Sequence, residues 1–481
     1  MSETSSAELK THAKRMADFS SHLSPMLVKE LRQGMRTNMF VIAFILLHTF
    51  MMLCLLTALS APGRSDSDFY FWFIIISVLL FIQPLRGFNA LSSEYQSKTM
   101  DLIHMTRLNG WRVTLGKWTA LNAQGLLFTA SVLPYLVIRY FLGNVNFIVD
   151  LIALTLIGIG SALATAVTIG CSAFPNILVR GVACIGLTIL LSALGAFVTG
   201  ALINNYGTSM GWEFLFLILL IGVFGTHYFL AFGASRISSL SENHATRKRL
   251  SALLATALCF GLGLLFGYDP SVTAGLATNP IIISAILCIA VVDALTEPLP
   301  LFARVVQPFS KNPIARFFGL FLTPGWLSGI FFFLAATISL IASLVFLDQS
   351  SGNNLERQSL LVFLSSCNIV IFPLLIISLF FPLHTGSKFT FALYLLIQAI
   401  IGGITLMVVA AVDIATGGWE ELIFTLLPLP SVLIFAYEKS QLHNIQFLFI
   451  IPFTTILCIG VPLIRKRRSL AEFFHCLSRN N

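Results

Sequence analysis

The chain has 481 residues, of which 57% are hydrophobic and only 10% charged, and its mean hydropathy is +0.88. Soluble domains carry roughly 25% charged residues, so a chain this long could not cover a water-facing surface, and a soluble enzyme is excluded. The net charge of +8 then has to be explained within a membrane.

Residues 1–38 are polar and mixed in charge, which is unlike a secretory leader. Ser24 and Pro25 read as a helix start, with proline at the first helical position. After them Leu27, Leu31 and Met35 recur every four residues, while Lys29, Arg32 and Arg36 take other faces and Glu30 sits between. The arm is expected to form a basic amphipathic helix on the inner membrane surface. Beyond it, apolar runs bounded by charges predict about twelve spans. They lie at 39–61, 69–88, 118–142, 148–173, 181–203 and 213–234, then 250–267, 280–302, 325–347, 359–382, 389–412 and 444–464. The expected fold is therefore all-α and polytopic. A first six-helix module covers 39–234, a cytoplasmic linker 235–249, a second six-helix module 250–464 and a basic tail 465–481.

Charge placement orients these spans. With the N-terminus inside, Arg64, Arg139, Arg357 and Lys439 alone among the 29 Lys and Arg residues fall outside. That satisfies the positive-inside rule, so the basic balance reflects orientation and no nucleic-acid partner is implied. The cluster Arg465–Arg468 places the tail in the cytoplasm. The short run 421–436, broken by Pro428 and Pro430, is then expected to re-enter from the outer face without crossing; the alternative is a short true span.

Two halves of six spans suggest an internal parallel repeat. Gln83-Pro84-Leu85 resembles Glu297-Pro298-Leu299, and Gly110-Trp111 resembles Gly325-Trp326. Seven of the eight cysteines lie in apolar runs and read as small buried residues, with no metal-clip spacing; Cys476 lies in the tail.

Few ionisable residues lie within spans. Asp293 and Glu297 are four apart and share a helix face. Intramembrane carboxylates default to a functional hypothesis, such as an ion relay, although Glu297 lies near the inner boundary, where water or Arg304 would satisfy it. Asn122, Gln124, Asn368 and Gln398 either line a pathway or bond between helices, and His48 and His227 read as structural. No nucleotide-binding loop is present: Gly116-Lys117 is followed by Trp118 and lacks the upstream glycine. There is no HExxH motif, nucleophile elbow or Cys/His cluster. The chain by itself is expected neither to hydrolyse ATP nor to hold a metal or cofactor.

The loop 89–117 carries the strongest signal. It is charged and partly amphipathic, with Met100, Ile103, Leu108 and Trp111 interleaved among polar residues. The loop and the arm together resemble the permease subunits of type 2 ATP-binding-cassette (ABC) exporters. The arm Ser24–Arg32 is similar to their Lys-Glu-Leu opening, through Pro25, Lys29, Glu30 and Arg32. The loop is similar to their intracellular motif through Glu94, Thr99, Asp101, Leu102, Thr106, Gly116 and Lys117. The sequence departs from that pattern at Lys98, where the family has glycine, and at Arg107, where it has proline; the second half has no comparable loop.

The resemblance implies a multi-pass permease of a bacterial cytoplasmic (inner) cell membrane. It also implies a separate cytoplasmic ABC ATPase subunit that binds ATP and Mg and docks on this loop. Glu94, Asp101, Thr106 and Arg107 would form the dock, with Trp111 and Lys117 as anchors. One chain supplies both halves of the pore if the repeat is real; otherwise a second permease copy pairs with it. The alternatives are an ion-coupled secondary transporter using Asp293, or a membrane assembly subunit that transports nothing.

Overall fold

The computed structural model describes residues 25–60, 66–96, 109–142, 146–174, 176–204, 212–238, 242–266, 278–297, 303–351, 370–380, 390–391, 393–401, 404 and 444–478. Their regular structure is helical throughout, and no strand occurs among the described residues. The chain falls into two compact units, Met1–Ser238 and Ser239–Asn481.

The first unit opens with α1 (Pro25–Met35) and α2 (Asn38–Ser60). Helix α2 is apolar on every face. Only Ala43, Leu47, Met51 and Leu55, at four-residue spacing, are buried, while Ile42, Ile45, Leu53 and Leu56 stay exposed. Lipid is the solvent that makes such a surface stable. Next, α3 (Asp66–Ile76) runs through a π-helical segment, Ser77–Ile82, into the short α4 (Gln83–Leu85). Pro84 has no N–H to donate, and just before it Gln83 N bonds Val78 O, five residues back. The irregular turn thus falls where proline has already removed a regular bond.

After α5 (Ser92–Gln96) comes α6 (Gly110–Leu142), 33 residues long. At 1.5 Å per residue it spans roughly 50 Å, well beyond a hydrocarbon core of about 30 Å. Residues Gly110–Lys117, read from sequence as loop, are therefore the first two turns of this helix. α7 (Phe147–Cys171), α8 (Ile177–Asn204) and α9 (Trp212–Ile237) complete the unit. Helix α7 packs against α6, α8 and α9. Glycine lets α7 and α9 touch closely: a Cβ on Gly170 would lie 2.6 Å from Phe229 O, and one on Gly233 would lie 3.1 Å from Gly170 Cα. Leu47, Phe71, Ile75, Leu79, Phe128, Val132 and Ala153 pack into one core cluster.

The second unit contains α10 (Ala245–Phe266), α11 (Thr278–Thr296), α12 (Ala303–Ser310), α13 (Pro313–Leu322) and α14 (Trp326–Ser351). It continues with α15 (Val370–Phe380), α16 (Asn444–Arg465) and α17 (Arg467–Ser478). Helix α13 meets the start of α14 at 96°, and Gly325 in the corner has φ 124°, which favours glycine. The basic tail is helical from Arg467 and packs on α12, α13 and α16 with Phe473 buried.

Five described helices are long and apolar enough to cross a membrane: α2, α6, α7, α8 and α9. The bent pair α13–α14 makes a sixth if counted as one broken span. The protein is a helical membrane protein. The predicted re-entrant run 421–436 lies outside the described residues, as do parts of the predicted spans at 359–382 and 389–412.

A Cβ on Gly329 would overlap the Ala294 carbonyl on α11, whereas one on Gly460 meets nothing within 4 Å. Gly329→Ala should therefore cost about 1–3 kcal/mol through overpacking. It should lower the thermal midpoint of the detergent-solubilised protein, with Gly460→Ala close to wild type. Equal midpoints for the two variants would refute the close approach.

Candidate functional site

Lys117 lies two turns into α6 and is 6% exposed. Its ammonium reaches two carboxylates from separate elements: Glu30 Oε1 on α1 at 3.1 Å and Glu94 Oε1 on α5 at 2.9 Å. The four-residue repeat of Leu27 and Leu31 turns α1 toward the protein, leaving Lys29 and Arg32 exposed and Glu30 half-buried beside Lys117. The arm thus packs on α6 instead of lying only on lipid.

A second tether holds the end of the arm. Arg86, just after α4, donates from Nη2 to Gly34 O at 2.8 Å and from Nη1 to Gln83 Oε1 at 2.9 Å. Its guanidinium also stacks over Phe40, 5.1 Å from the ring centroid. Gln83 in turn donates from Nε2 to Leu121 O on α6 at 2.8 Å. The Pro84 carbonyl, whose i+4 neighbour lies beyond the end of α4, accepts from Thr168 Oγ1 of α7 at 2.8 Å. The arm, the end of the second predicted span and the start of the third are therefore linked through partly buried polar bonds.

Gln124, expected to line a pathway or bond between helices, is 1% exposed. It lies where a Cβ on Gly34 would overlap its amide, and neither Nε2 nor Oε1 has a hydrogen-bond partner among the described residues. Asn122 is half-buried on the same helix. Trp111 packs inward near His227 of α9, with ring centroids 5.3 Å apart. Gly116 lies within α6, and Pro25 opens α1. His48 bonds the Tyr135 hydroxyl at 3.0 Å. Thr99, Asp101, Leu102, Thr106 and Arg107 lie outside the described residues.

The second unit holds another buried constellation. Lys248 and Arg249, read from sequence as the end of a cytoplasmic linker, lie near the start of α10 and are each 2% exposed. Lys248 donates to Asp293 and, at 2.7 Å, to Glu297 Oε1. Arg249 Nη2 meets Glu297 Oε2 at 2.8 Å, and Nη1 bonds the Thr323 carbonyl at 2.7 Å and Ser328 Oγ at 2.8 Å. Two cations and two anions cancel, and the guanidinium closes the α13–α14 corner. Glu297 thus takes its charge partners from α10; the side chain of Arg304, its expected partner, lies outside the described residues.

Sequence reasoning missed Arg86, Lys248 and Arg249 because each borders an apolar run like a solvated end. Long basic stems can reach back from such positions. Among the described residues, no group of three His, Cys, Asp or Glu side chains could hold a metal ion.

Removing Lys117 would leave Glu30 and Glu94 facing one another beneath the arm. Breaking a buried pair costs on the order of 3–5 kcal/mol, here reduced because both carboxylates are partly exposed. Lys117→Met should release α1, and trypsin should then cut at Lys29 and Arg32 several-fold faster; Lys117→Arg should restore protection. Unchanged cleavage in Lys117→Met would show that the arm is held by other contacts.

Asp293→Asn and Lys248→Met should each lower the thermal midpoint, and the double variant should recover part of the loss, since charge pairs within one network couple by about 0.5–3 kcal/mol. Strictly additive losses would contradict the pairing. No protein-family model, curated protein or solved structure matches this chain.

Proposed function

We propose that this chain is the membrane-spanning permease subunit of a transporter similar to the type 2 ABC exporters. In this reading it has about twelve spans with both termini in the cytoplasm of a bacterial cell, and a second permease copy if one chain does not supply both halves. A separate cytoplasmic ATPase, which binds ATP and Mg, docks on the loop after the second span and on the arm. Closure of that partner around nucleotide shifts the helices between inward-open and outward-open packings, as a ligand shifts any two-state equilibrium for which its affinities differ.

One observation carries the reading. Lys117 joins the arm through Glu30 and the start of the loop through Glu94. Both segments with the resemblance meet on one side chain at the head of a 33-residue helix. A force applied to the loop is passed through that joint to the third span. The ion-coupled alternative requires Asp293 to exchange its ammonium partner for a cation in each cycle. Its buried pairing with Lys248 favours a structural role.

Gentle solubilisation followed by mass spectrometry should find an ATPase subunit retained on the wild-type chain. Reversing the loop charges, Asp101→Lys with Arg107→Glu, should lose it. If no ATPase is retained by wild type, or the reversal retains it fully, the docking reading fails. The chain alone in proteoliposomes should not dissipate a proton or sodium gradient. Dissipation abolished by Asp293→Asn would establish the ion-coupled alternative instead.

A further inference from the structure

Arg180 lies in the first turn of α8 and is 3% exposed. Its guanidinium lies over the Phe88 ring, 4.8 Å from the centroid. Nε and Nη1 have no hydrogen-bond partner among the described residues. Two other buried guanidiniums are answered by oxygen: Arg139 by Asp150 at 3.1 Å, and Arg249 by Glu297 and backbone carbonyls. A guanidinium does not shed its proton inside a protein. An uncompensated buried charge costs far more than one ring face returns. Its planar fork suits a phosphate or carboxylate.

The surroundings select among anions. Around Arg180, Ile177, Leu178 and Val182 are 64%, 74% and 77% exposed. A Cβ on Gly181 would meet nothing within 4 Å, so this apolar face of α8, beside the buried cation, is open. Helix α8 is a candidate membrane span, and its start lies on the predicted cytoplasmic side, at the depth of lipid headgroups. Asn176 caps the Leu178 N–H at 2.9 Å, and the N-terminus of the helix adds positive potential. A free anion would make no use of that apolar face. A phospholipid engages both at once, with its phosphate on the guanidinium and its acyl chain along Ile177, Leu178 and Val182. Inner-leaflet anionic lipids are also drawn to basic segments.

We propose that Arg180 binds the headgroup phosphate of an anionic phospholipid of the inner leaflet, held at the start of α8. This assignment rests on membrane insertion and the charge-derived orientation, and not on the permease reading. The probe is phosphatidylglycerol, supplied in mixed vesicles with phosphatidylcholine; retained lipid is counted by native mass spectrometry of the full chain.

Wild type should retain phosphatidylglycerol over phosphatidylcholine. Arg180→Gln should reduce that retention about tenfold, Arg180→Lys should keep part of it, and Lys311→Gln, an equal charge loss at an exposed position, should keep all of it. Excess inorganic phosphate should not displace the lipid from wild type. Equal retention in Arg180→Gln and Lys311→Gln would overturn the proposal. Displacement by inorganic phosphate would overturn the lipid as ligand in favour of a free anion. If Arg180→Gln does not fold, the lipid preference of wild type and its resistance to phosphate still decide the outcome.

Discussion

A single ammonium group, that of Lys117, fixes where the arm can sit. The third predicted span is long enough to leave the hydrocarbon core, and Lys117 is buried near its projecting end. A cation removed from water needs anionic partners close by, and it finds them in Glu30 and Glu94. The arm has no covalent reason to lie against α6. Its apolar side is short, and lipid would accept that side as well as protein does. The carboxylate of Glu30 makes the difference, because lipid offers it no counter-charge. Four residues on, Gly34 O is taken by Arg86. The two tethers come from different spans, so the arm cannot shift without disturbing the second span, the third or both.

The helical class and the membrane setting were legible in the sequence because they depend on local composition. The run from Met39 has no polar face, and α2 begins one residue before it, at Asn38. The four-residue repeat in the arm gave the helix and its apolar side, but that side was expected to face lipid and packs on α6. The start of α6 was not legible, because Gly110–Lys117 carries Arg112 and Lys117 and reads as loop. Tertiary contacts override that reading: Val113 and Thr114 are buried, and Lys117 is neutralised by residues remote in sequence. The partners of Glu297 were hidden for the same reason. They come from the start of α10, nearly fifty residues earlier in the chain. The tail helix did leave a signal, since Leu470, Phe473 and Phe474 follow helical spacing. The four consecutive basic residues before them were used only to place the tail in the cytoplasm.

The Lys117 joint and the charge network of the second unit hold buried charge differently, and the difference has consequences for motion. In the second unit the two carboxylates, Asp293 and Glu297, lie at and just beyond the end of α11, and the two cations are consecutive on α10. Each element is rigid, and Arg249 adds bonds to the Thr323 and Gly325 carbonyls in the α13–α14 corner. Such a network opposes relative movement, since separating α10 from α11 would strand all four charges together.

Around Lys117 the partners are instead carried by two separate short helices at the edge of the unit, α1 and α5, and each carboxylate is partly exposed. Water can replace one of these bonds while the other holds. The joint can therefore exchange partners at a modest cost, and the second network cannot. If work enters this protein from the cytoplasm, as the proposed function requires, the physical chemistry favours the arm and the loop as its point of entry. The Lys248–Asp293–Glu297–Arg249 network then serves as the fixed element within its own unit.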